Sequence, residues 1–138
     1  MTIKPFKITD LGAFVPNEFS KPDEILPLFL DSQFEVQTLW GDDGLVQAII
    51  CFRNYWGKCW SCFVLIAWNF KPFNAHQLRT LISRYMDERA AVRLQTESRA
   101  VPALRKWHKF LGFEHEGIKR KMMFNNDYDC WAIVREGV

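Results

Sequence analysis

No apolar run in the 138-residue sequence approaches the roughly 18 residues of a membrane span, and Met1 to Leu11 holds no signal-peptide h-region. Neither a membrane anchor nor an export leader is expected, and the expected location is cytoplasmic. An excess of one charge is missing too. Eighteen Lys and Arg against 16 Asp and Glu leave a net charge of +2 and a pI near 8.4, too mild to argue nucleic-acid or membrane binding. Seven glycines and six prolines, with no repeat or low-complexity tract, exclude collagen and disorder. The four cysteines, Cys51, Cys59, Cys62 and Cys130, sit in apolar runs and read as small buried hydrophobes of a reducing compartment. Cys59 and Cys62 have redox or zinc spacing, but side chains three positions apart on a strand point to opposite faces. No metal site is expected.

What the sequence has in abundance is aromatic rings. Twelve Phe, six Trp and three Tyr make up 15% of the chain. They must fill a core, line a pocket or cover an interface. With 49% hydrophobic and 25% charged residues, the chain reads as one globular domain, 1–138. At this length roughly two thirds of the unfolded surface can be buried without disulfides or metal.

Met1 to Lys7 alternates like a strand, and Thr9 and Asp10 are helix-capping types ahead of Leu11 and Phe14. Ile25, Leu26 and Phe29 recur at helical spacing within Lys21 to Leu30, after Pro22 in a first turn. Alternation from Phe34 to Trp40, turn chemistry from Gly41 to Gly44 and the apolar run Leu45 to Phe52 predict a hairpin. A second turn around Gly57 leads into Cys59 to Trp68, apolar enough for a central strand covered on both faces. Asn74 can cap a helix whose Leu78, Leu81, Ile82, Tyr85 and Met86 lie on one face. Ala91 to Thr96 reads as a strand. A helix then opens near Pro102, presents Leu104, Trp107 and Leu111 inward, and stops at Gly112, with Phe113 closing a Schellman-like end. Strands from Phe113 to Phe124 and Tyr128 to Arg135 form a final hairpin. The pattern predicts an α+β fold, a mixed, mostly antiparallel sheet with helices on both faces.

This order, with Leu111, Gly112 and Phe113 followed by Glu116, Gly117, Ile118, Lys119 and Arg120, resembles the GNAT family of acetyl-coenzyme A dependent N-acetyltransferases. The opening Met1, Thr2, Ile3, Lys4 and Pro5, then Thr9, Asp10, Phe14 and Pro16, is similar to that of the small GNAT-like internal virion proteins of short-tailed phages. Gly57 to Trp60, and Arg79, Leu81, Ile82 and Tyr85, add to that likeness. The resemblance implies a sheet splayed between its fourth and fifth strands, acetyl-CoA as cofactor and an amine as acceptor. It also implies a second possibility, a fold kept for binding phage or host proteins with catalysis reduced or lost.

In the family a loop patterned Arg or Gln, two residues, Gly, one residue, Gly or Ala cradles the coenzyme pyrophosphate at a helix start. The corresponding stretch, Asn69 to Ala75, has no glycine. One register puts Phe70 at the Arg or Gln place, Phe73 at the Gly place and Ala75 last; the other uses Asn69, Pro72 and Asn74. Pro72 removes a donor, and a Phe at the Gly place adds bulk. The resemblance implies cofactor contacts from Trp68, Asn69, Phe70, Phe73, Asn74, Ala75 and His76. Phe70 and Phe73 either plug a pocket or face a partner, and plugging is the expectation. The family's acid toward the departing thiolate, a tyrosine four residues before the Gly of Leu-Gly-Phe, falls on His108, whose imidazole can donate a proton. The family's helix-opening Asn falls on Val101. Glu97, at the end of the strand after the central one, is the expected general base. The late basic residues Arg99, Arg105, Lys106, Lys109, Lys119, Arg120 and Lys121 read as a solvated helix face and a protected sheet edge rather than a nucleic-acid surface.

Overall fold

A computed structural model describes residues 2–18, 33–123 and 125–136. The helix expected from Lys21 to Leu30 lies outside the described residues. The strands are β1 (Thr2–Pro5), β2 (Glu35–Trp40), β3 (Val46–Trp56), β4 (Cys59–Ile66), β5 (Arg93–Arg99), β6 (Glu114–Met123) and β7 (Asn126–Val134); the helices are α1 (Pro72–Glu88) and α2 (Pro102–Phe110). The strands form one hydrogen-bonded order, β1-β2-β3-β4-β5-β7-β6, mixed and mostly antiparallel as expected. Only the β4–β5 pairing is parallel among those described, and it covers three residue pairs, ending at Ser61 with Gln95.

The chain divides into two compact units, one of Met1–Asn54 with Cys62–Asn74, the other of Tyr55–Ser61 with Ala75–Val138. In the first, Phe14, Val46, Ile49, Cys51, Leu65 and Ala67 pack together, joined by the half-buried Phe6, Phe34, Val36, Trp40 and Phe63. Here much of the aromatic load finds its use as core. The run expected to be most deeply covered was β4. It is the middle strand by order, but β3 is the more buried, with every residue from Val46 to Phe52 inaccessible. The short helix expected around Thr9 and Asp10 is a 3-10 helix over Ile8–Ala13 whose N-cap is Lys7, with Asp10 closing the capping box from inside the first turn. Asp10 lies inside it, buried, accepting from the Lys7 N–H at 2.9 Å and from Thr38 Oγ1 at 2.8 Å.

In the second unit, α1 buries Leu78, Leu81, Ile82, Tyr85 and Met86, the face its periodicity predicts. Helix α2 ends as its Gly and Phe foretell. Gly112 takes a φ of +99°, a conformation a Cβ would strain, and the Phe113 N–H bonds back to the His108 carbonyl at 3.0 Å. β5 alternates half-buried Arg93, Gln95, Glu97 and Arg99 with buried Leu94, Thr96 and Ser98. Its antiparallel neighbour β7 sets Thr96 opposite Trp131, Glu97 opposite Cys130 and Ser98 opposite Asp129. Directly opposed residues share a face, so this register fixes which side each functional candidate occupies.

Candidate functional site

Helix α1 opens at Pro72, two residues before the expected cap, and this changes what Asn74 does. Pro72 is suited to a first helical position because it has no N–H to leave unpaired. Asn74 then falls inside the first turn and points inward, where its Nδ2 donates to Gln47 Oε1 at 3.0 Å. Its backbone N–H bonds to the Lys71 carbonyl at 2.9 Å, and that of Phe70 to the Ala67 carbonyl at 3.2 Å. The same turn that draws Asn74 in carries Phe73 out, 70% exposed; Trp68 is 65% exposed, while Phe70 and Asn69 are half-buried. Phe73 therefore does not plug a pocket. Ala75 is buried, and His76 lays its ring edge against Phe110 of α2 at 5.1 Å.

A glycine-built cradle offers successive backbone N–H groups to phosphate. In this loop Pro72 has none, and those of Phe70 and Asn74 are already bonded. What fits a phosphate is of another kind: the partial positive charge at the start of α1 and the exposed Lys71 beside it, a residue the motif comparison passes over.

His108 stacks on Trp131, centroids 5.3 Å apart and planes inclined by 18°, with Phe113 edge-on at 5.8 Å. Its Nδ1–H donates to the Leu104 carbonyl at 2.8 Å. Burial holds the imidazole below its ordinary pKa, against the opposing pull of that carbonyl and of Asp129. The neutral ring therefore carries its proton on Nδ1 and a lone pair on Nε2.

Glu97 lies inside β5 rather than at its end, because the strand runs on to Arg99. Lys119 Nζ donates to its Oε1 at 2.9 Å, and its Oε2 is buried with no hydrogen-bond partner among the described residues. An unpartnered carboxylate oxygen can accept a proton once a donor comes within hydrogen-bond reach. Glu97 pairs with Cys130, whereas the Trp131 against which His108 stacks pairs with Thr96. Alternation thus puts Glu97 and His108 on opposite faces of the β5–β7 ladder. They do not meet.

Sequence reasoning missed a cluster on the His108 face. Asp129 is completely buried and accepts from Arg105 Nε at 2.8 Å, Arg105 Nη2 at 3.1 Å and His115 Nε2 at 2.8 Å. Burial alone would raise its pKa, but the hydrogen bonds from Arg105 and His115 outweigh it and hold the carboxyl below the ordinary 3.8. The folded state thus holds the proton less tightly than the unfolded chain. Stability from Asp129 is fully present above 3.8 and is lost as pH falls from there through the lower folded value. Asp129→Asn should lower the unfolding free energy by about 2 kcal/mol at neutral pH and flatten this acid loss. Urea unfolding of both proteins between neutral pH and about pH 3 checks it; parallel curves would contradict it.

No protein-family model and no curated protein matches the sequence. Solved structures do, along its whole length. An acetyltransferase from Bacillus subtilis in complex with CoA aligns with a TM-score of 0.75 at 11% identity, covering 97% of this chain and 98% of its own. A spermidine N-acetyltransferase variant from Vibrio cholerae gives 0.72 at 13%, covering 97% and 95%. The ribosomal-protein-S18-alanine N-acetyltransferase from Escherichia coli gives 0.71 at 18%, covering 96% and 92%. The chain has the fold of the GNAT N-acetyltransferases. No helix among the described residues is long and apolar enough to cross a membrane.

Proposed function

We propose that the protein is an N-acetyltransferase that moves an acetyl group from acetyl-CoA to an amine in the cytoplasm. The observation that supports it best is the end-to-end likeness to acetyltransferases, one of them holding CoA. When bound, the coenzyme supplies an acyl group activated as a thioester. Lys71 and the start of α1 hold its phosphates, with Trp68, Asn69, Phe70, Phe73, Ala75 and His76 around them. Glu97 takes the proton of the incoming amine at Oε2 while Lys119 fixes the carboxylate through Oε1. His108, in its charged form, gives the Nε2 proton to the departing thiolate while Nδ1–H stays on the Leu104 carbonyl. Because Glu97 and His108 face away from each other across the ladder, the base and acid assignments stand or fall separately.

A second reading keeps the fold for assembly, as an internal phage protein or a binder of host proteins in the host cytoplasm or virion. The loop favours it, with its bonded N–H groups and its outward Trp68 and Phe73. One titration decides between them. Under the enzyme reading, acetyl-CoA at a hundred times its Kd raises the unfolding free energy by about 2.7 kcal/mol, visible as a thermal shift. No shift at millimolar acetyl-CoA would sink the enzyme reading and leave assembly.

A further inference from the structure

Gln47 is the residue of β3 that the register of the sheet leaves over. Leu39 faces Ala48 and Trp40 faces Val46, so Gln47 stands between them as a bulge. A bulge re-aims a side chain that regular alternation would place elsewhere. Here the re-aimed amide is 1% exposed. A primary amide at such depth needs partners, and all those found for it belong to one short segment. Its Oε1 accepts from Asn74 Nδ2 at 3.0 Å, its Nε2 donates to Asn69 Oδ1 at 3.5 Å, and its backbone carbonyl accepts the Ala67 N–H at 2.9 Å. Those contacts grip both ends of the loop that joins β4 to α1. Gly41 leaves space for the amide and for the turn beside it: a Cβ there would come within 2.8 Å of Asp43 Oδ1, 3.1 Å of Gln47 Cγ and 3.3 Å of Nε2.

We infer that Gln47 is a positioning residue for the acyl donor, setting the Asn69–Asn74 loop and the start of α1 in the conformation that receives phosphate. This rests on the acetyltransferase reading. The relay has a direction, Asn74 to Gln47 to Asn69, and only a side chain with both an acceptor and a donor completes it. It also supplies the order that the loop, lacking glycine and carrying bulky rings, needs before any ligand arrives. An ordered loop costs less on binding than one that must be fixed by the ligand.

Gln47→Met keeps the volume and removes both side-chain bonds. It should raise the KM for acetyl-CoA about tenfold while kcat stays within about threefold, and speed amide exchange across 67–75 in the free protein by about tenfold. Gln47→Glu keeps the acceptor for Asn74 and should fall between Met and wild type. Gly41→Ala, which presses on Gln47 and on Asp43 of the adjoining turn without touching the loop, should move the same readouts if the Met variant fails to fold. Ile50→Val, a core change on the same strand, serves as the stability control and should leave KM and loop exchange unchanged. A lower kcat at constant KM, or exchange across 67–75 equal to wild type in both Gln47→Met and Gly41→Ala, overturns the inference. Absence of acetyl-CoA binding by the wild type overturns the enzyme reading and the donor role together, while the exchange data still decide whether Gln47 sets the loop.

Discussion

Trp131→Ala should cost about 3–5 kcal/mol of unfolding free energy, a large part of the 5–15 kcal/mol that typically holds a domain together. Trp131 is 1% exposed and heads the fully buried side chains by volume. Its faces and edges are used by others: His108 stacks on it at 5.3 Å, His115 meets it edge-on at 5.0 Å, and its Nε1–H donates to Ser98 Oγ at 3.0 Å. Truncation removes the ring, opens a cavity that α2 and β6 cannot both collapse into, and leaves Ser98 without its donor. Trp131→Phe separates these effects. It retains most of the stacking surface and loses the N–H, so it should cost about 1–2 kcal/mol. Equilibrium unfolding in urea measures both, and a Trp131→Ala cost below about 2 kcal/mol would mean that the histidine faces do not depend on this ring.

Much of the fold is written in local patterns, which is why it can be read without coordinates. The heptad-like face of α1 and the Leu111-Gly112-Phe113 stop of α2 depend on residues within a few positions of one another. The relations that make the site are of another kind. Asp129 draws Arg105 from 24 positions away and His115 from 14, so nothing near it in the sequence marks it as the centre of an ion cluster. Gln47 reads as an unremarkable polar residue at the start of a strand, because a bulge is a property of two strands in register and not of one. Asn74 is recognisable as a residue for a helix start, but not as one turned inward, since the helix already opens at Pro72. The separation of Glu97 from His108 follows from the parity of β5 against β7, which the sequence leaves open until Glu97 is paired with Cys130.

That separation shapes the kinetic test of the two groups. His108→Ala and Glu97→Gln should each lower acetyl transfer about a hundredfold, equivalent to about 2.7 kcal/mol of barrier. Their pH behaviour tells the roles apart. The Nδ1 proton of His108 is committed to the Leu104 carbonyl, so the imidazole can donate from Nε2 only in its charged form. Burial lowers its pKa below the ordinary 6.5, and the charged form therefore disappears as pH rises through that lowered value. An acid role makes kcat highest on the acidic side and falling toward neutrality, and His108→Ala abolishes the fall. The window stays clear of Asp129, whose protonation belongs below 3.8. If kcat instead rises through this range and His108→Ala removes the rise, His108 accepts a proton at Nε2 and is the base of the reaction. Glu97→Gln keeps the Lys119 contact through its amide oxygen, so its loss of rate should appear in kcat with little change in stability. Full activity in Glu97→Gln would remove the carboxylate from the chemistry and leave the unpartnered Oε2 as a structural feature of β5.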